Sequence, residues 1–253
     1  MMRVEPMMKN ILLLLIVLLG SVFLEAHGPN HNKAEEAKKR GDYKAALKFS
    51  LIQLDEDLQK FGPYTKETMI TYGRLGTFSQ RVGEYVKALE YNFQSLNIQK
   101  KILDANDVTT ATTYNNMGDI YAKLEKYTEA LEYFFKSLKI QEVRFGKNHR
   151  TAAITHNNIA KVHRKQGKYK EAMHHFRRSL EIRQETLDEN DYSIALAHSN
   201  IGLVYFKQGK YEEALAELRK ALKIRKKVFG KIHSFTKKTQ KNIDYIKKKM
   251  LVK

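Results

Sequence analysis

The residues best suited to holding another molecule are amides and cations set at a fixed interval. Asn115-Asn116, Asn157-Asn158 and Ser199-Asn200 fall 42 residues apart, and a cation follows at the same interval in Lys39, Arg81, Lys123, Lys165 and Lys207. A carboxamide carries both donor and acceptor, so it can grip a peptide unit whatever side chain that unit bears. Asparagine is a mediocre helix former, so a ladder of it within helices asks for another use. Fastening neighbouring helices to each other is the second such use. The cations, reinforced by Lys161 and Arg164, favour an acidic peptide or a C-terminal carboxylate. Their other reading is complementation of helix C-termini. Gly73-Arg74 replaces the amides one period earlier, so the grip is expected to begin at Asn115.

Catalytic chemistry finds no such pattern. His156 and His163 are seven apart, His174 and His175 adjacent, and His198 in phase with His156. A two-histidine zinc site needs i, i+4 spacing with a third ligand, and these histidines do not offer it. With no cysteine, thiol nucleophiles, iron–sulfur clusters and disulfides are excluded. Every glycine cluster reads as a helix-pair turn and none as a phosphate cradle. No metal, no cofactor and no enzymatic activity are expected.

The elements that position the amides follow from the same period. Ten of the 13 glycines occupy three phases of it, such as Gly41, Gly83, Gly167 and Gly209. Tyr43, Tyr85, Tyr127, Tyr169 and Tyr211 occupy another, each followed by a small–large pair such as Ala130-Leu131. A repeat array results. Within a unit, Met117, Ile120, Tyr121 and Leu124 recur at helical spacing, and Tyr127 to Val143 continues as a second helix. Glycines such as Gly167 are expected to end the first helix in the left-handed conformation. Gly118 and its equivalents are expected where two helices approach closely. Five units fill 27–236, and 237–253 reads as a basic capping helix. Pro63 lies in a connector.

Residues 1–26 read as a secretory signal peptide, with an uncleaved membrane anchor as the alternative. Arg3 and Lys9 precede an apolar run, Ile11 to Leu19, that resumes at Val22 and ends before Ala26. The mature chain is therefore expected outside the cytoplasm, periplasmic or secreted.

Gly118, Tyr121, Ala130 and Phe134 stand at the spacing of the tetratricopeptide repeat, which the chain resembles over 27–253. The interval of 42 exceeds the family's usual length of about 34. With Tyr114-Asn115-Asn116-Met117-Gly118 and connectors such as Phe145-Gly146-Lys147-Asn148, it is similar to the kinesin-light-chain type. His163 departs from the tyrosine found at Tyr121 and Tyr205, the consensus tryptophan is absent, and the first unit has only part of its first helix. The resemblance implies an all-α, right-handed α-solenoid of helix-turn-helix units. It also implies a concave face lined by the first helix of each pair, where Asn115, Asn116, Asn157, Asn158 and Asn200 hold the backbone of an extended peptide. A non-enzymatic scaffold for a protein partner, acidic in character, is the expected function.

Charge supplies the alternative. Of a net +18, residues 219–253 carry +13, with Asp244 their only acid. A basic C-terminal helix of this kind suits an anionic membrane or polymer. Nucleic acid is not expected of an exported chain.

Overall fold

A computed structural model describes residues 28–251, which form eleven α-helices and no strand. The apolar run near the N-terminus lies outside the described residues. The helices are α1 (Pro29–Lys39), α2 (Tyr43–Phe61), α3 (Lys66–Val82), α4 (Tyr85–Ile102), α5 (Val108–Lys123), α6 (Tyr127–Phe145), α7 (Arg150–Lys165), α8 (Tyr169–Thr186), α9 (Tyr192–Lys207), α10 (Tyr211–Phe229) and α11 (Ser234–Leu251). They pair as five hairpins followed by α11. The helix starting at Tyr127 runs to Phe145, two residues beyond the expected Val143. The last helix begins at Ser234 rather than at 237. Pro29 opens the short α1, where its missing N–H costs nothing.

Local chemistry sets each boundary. Asp107 and Asp191 cap α5 and α9, their carboxylates accepting from the N–H of Thr109 and Ser193 at 2.7 Å each. His149 does the same for α7 through Nδ1. Between the helices of a pair, Gly167 takes φ 75, and the N–H of Lys168 reaches back to the carbonyl of His163 at 2.9 Å. Glu125 occupies this phase in the third unit and is, among the described residues, the non-glycine residue with positive φ, at 60. Its Cβ crowds the backbone there. Glu125→Gly is expected to stabilise the protein by about 1 kcal/mol, read as a rise in thermal midpoint.

The described helices divide into two compact units after Leu103. In the first, Ala34, Ala37, Ala46 and Phe78 form the apolar cluster. Arg74 ties α3 to α1 through Glu35 at 2.6 Å. In the second, the fully buried Phe134 closes over Gly118, where a Cβ would come within 2.7 Å of its ring. Only glycine permits that approach. Phe176 and Leu218 hold the same place in the next two hairpins, with Ala160 and Gly202 at the phase of Gly118. The hydroxyls of Ser137 and Ser179 donate to the carbonyls of Ala111 and Ala153 at 2.7 and 2.6 Å, locking each hairpin in the same register. Ile243 and Ile246 of α11 complete the cluster around Leu215, Leu218 and Leu222, so α11 covers the apolar face of α10 as a cap.

Candidate peptide-binding groove

The amides predicted for the groove meet one another. Asn158 Nδ2 donates to Asn115 Oδ1 at 3.4 Å, and Asn200 Nδ2 donates to Asn157 Oδ1 at 2.9 Å. Asn157 Nδ2 lies 3.4 Å from Asn158 Oδ1. A chain of side-chain amides thus crosses from α5 through α7 to α9. This is the fastening role that the sequence left open beside peptide binding. Asn157 and Asn200 are buried, while Asn115, Asn116 and Asn158 keep partial exposure. Asn116 takes no part in the ladder. Asn200→Ala strands the buried Asn157 acceptor and is expected to cost about 1–2 kcal/mol in thermal unfolding. Asn116→Ala is expected to cost almost nothing.

The cations converge beside this ladder. A cavity of about 260 Å³ between α5 and α7 is lined by Lys123, Lys161, Arg164, Lys165, Asp119 and Asn158, among others. Four cations face two carboxylates there, Asp119 and Glu125. Lys161 is exposed overall, yet its ammonium pKa is lowered, first by desolvation and then by Arg183, Lys123 and Arg164, with Asp119 opposing. The Lys161 ammonium sits 3.5 Å from Asn158 Oδ1. A negatively charged group entering this cavity would relieve that mutual repulsion.

Two other predicted cations stand apart. Lys207 is exposed at the end of α9 and does not line this cavity. Arg81 belongs to the first compact unit, where its guanidinium lies 5.7 Å from the Tyr43 ring centroid.

Arg183 was not foreseen. It is 5% exposed, and its Nη1 is buried without a hydrogen-bond partner. The hairpins on either side satisfy the same phase with a threonine 14 residues on. Thr155 donates to Gln141 at 2.9 Å, and Arg225 bonds Thr239. At the corresponding place after Arg183 stands Ala197, which has no hydroxyl to offer. The visible signal was this break in the repeat, an arginine kept while its partner is lost.

The histidines form a cluster of their own at one hairpin. His156 Nδ1 lies 2.9 Å from His175 Nδ1, and the His163 ring stacks on His175 at 5.8 Å. Tyr114, Tyr121 and Tyr133 hold the same three places one repeat earlier. His198 instead meets Glu217 at 2.6 Å. Among the described residues no group of three or more His, Asp or Glu is arranged to hold a metal ion.

Tetratricopeptide-repeat models match residues 67–142, 109–185 and 195–234. The chain belongs to the tetratricopeptide-repeat family. Among solved structures, BtubC (BKLC) from P. vanneervenii is 25% identical, with a TM-score of 0.68 over 78% of each chain. A putative kinesin light chain from Podosopora anserina with nearly identical TPR-like repeats is 18% identical. Its TM-score is 0.68 over 78% of this chain and 93% of that one. MamA is 18% identical, with a TM-score of 0.55 over 77% of this chain and 95% of that one. The last two show a shared fold. No curated protein matches the chain. As in other tetratricopeptide-repeat proteins, the fold here is a scaffold for protein interaction.

Proposed function

We propose that the face formed by α5, α7 and α9 binds an extended acidic segment of a partner protein. The observation that carries this reading is the cavity beside the amide ladder, where Lys123, Lys161, Arg164 and Lys165 outnumber the carboxylates Asp119 and Glu125 by two. Four cations held together by the fold repel one another, and an acidic peptide offsets that cost on binding. The partly exposed amides of Asn115, Asn116 and Asn158 lie within the same face and can address a peptide backbone. The binding step needs no covalent chemistry, since the groups present supply charge and hydrogen bonds.

The test is a peptide array in which acidic and lysine-containing sequences of equal length are offered to the full chain. Acidic peptides are expected to be retained and lysine peptides not. The Lys123→Glu, Lys161→Glu, Arg164→Glu triple variant keeps its helicity and loses roughly hundredfold in affinity for the acidic set. Equal retention of both sets by the unaltered protein, or undiminished acidic binding by the triple variant, would overturn the assignment.

A further inference from the structure

A second charged surface lies on α11, apart from the groove. This helix carries Lys237, Lys238, Lys241, Lys247, Lys248 and Lys249, no arginine, and Asp244 as its one acid. All six lysines are exposed. Among the described residues none of them pairs with a carboxylate, and Asp244 accepts instead from Gln240 at 2.9 Å. Lysines elsewhere do find acids, as Lys220 finds Glu217 at 2.8 Å.

Capping alone does not explain this pattern. The capping task is done by Thr236, Thr239, Ile243 and Ile246, which are buried. Those four residues fix the rotation of the helix and turn the lysines away from α10. Lys248 and Lys249 suit the negative end of the helix dipole, but Lys237 and Lys238 stand near its positive end, where cations are unfavourable. Lys237 and Lys241 also stack at i, i+4 as like charges. The helix therefore holds a self-repelling face about 27 Å long that only an external anion can neutralise.

We propose that the outward face of α11 adsorbs to anionic phospholipid bilayers. The composition favours lipid over nucleic acid. Bidentate recognition of nucleic acid favours the planar fork of arginine, which α11 lacks, whereas lysine clusters on one helix face suit a diffuse sheet of headgroup charge. Tyr245 and Leu251 are exposed among the lysines, at 54% and 87%, whereas Phe235 stacks on Tyr192. A ring and an aliphatic side chain in that setting can enter the headgroup boundary while the ammonium groups stay at its surface. Lys226, Lys227 and Lys231, also exposed, extend the positive field past the end of α10.

The experiment uses the full chain and two sets of vesicles, pure phosphatidylcholine and phosphatidylcholine doped with phosphatidylglycerol, in a sedimentation assay. The apolar stretch from Ile11 to Leu24 contributes alike to both sets, so the readout is the ratio between them. The ratio is expected to be at least about tenfold at low salt and to fall towards unity as salt is raised. Replacing Lys237, Lys238, Lys241, Lys248 and Lys249 with Gln, which is as good a helix former, is expected to erase the ratio without loss of helicity. An unaltered ratio in that variant would overturn the proposal, as would a ratio near unity for the unaltered protein. Complete displacement from the doped vesicles by a duplex oligonucleotide at equal phosphate concentration would assign the face to nucleic acid instead.

Discussion

Phe176→Ala is expected to lower the stability of the second compact unit by about 4 kcal/mol. The ring is fully buried and packs against Ala160 of α7, Ala172 and Met173 of α8, and Ile201 and Val204 of α9. It joins one hairpin to the first helix of the next. Alanine forfeits the transfer energy of the ring and leaves a void that three helices cannot all close. Each repeat draws stability from its neighbours, so α9 and α10 should loosen with α7 and α8. A urea titration followed by helicity measures the loss. Phe176→Leu is expected to retain most of the stability, because leucine refills much of the volume. A loss below about 1 kcal/mol for the alanine variant would show that hairpin stacking does not depend on this contact.

Acid is expected to act next most strongly, through the histidine cluster. Burial pulls His156 and His175 down to about 4, and Arg178, His163 and His174 push in the same direction, with Glu181 opposing at His156. The two Nδ1 atoms face each other at 2.9 Å, so one must accept and therefore be neutral. Burial also lowers the pKa of His163. In the unfolded chain these rings titrate near 6.5. Their contribution is therefore intact above that value and is lost as pH falls from there to about 4. Solvent screens part of the effect at the half-exposed His175, which leaves a loss of about 2 kcal/mol for the pair.

The repeat supplies the control. Tyr114, Tyr121 and Tyr133 occupy the same three places one unit earlier, and phenols take up no proton in the acid range. The His156→Tyr, His163→Tyr, His175→Tyr variant should fold and show no stability step between neutral pH and about 4. Thermal midpoints measured across that range decide it. An equal step in both proteins would place the acid sensitivity elsewhere.

Much of the fold was legible because a repeat states each structural requirement several times. Gly118, Ala160 and Gly202 at one phase announce a close helix approach, and the structure puts Phe134 against the first of them. Gly167 at the hairpin turn announces a left-handed residue, and the exception, Glu125, keeps that conformation because the surrounding turn demands it. Periodicity says less about which polar atoms meet. Asn157 and Asn158 are adjacent in the chain and point to different neighbours, Asn200 and Asn115, a division set by helix rotation within the stack.

What the chain alone determined is therefore the unit: two helices, their caps, their turn and the apolar stripe that needs a neighbour. Those are short-range properties, encoded by side-chain size and backbone preference within a few residues. Tertiary structure decided the rest. It turned the asparagines into a ladder, gathered Lys123, Lys161, Arg164 and Lys165 around one cavity, and buried Arg183 beside the vacant place of a threonine. Such outcomes depend on distances between residues some 40 positions apart, and those distances exist only once the hairpins have packed.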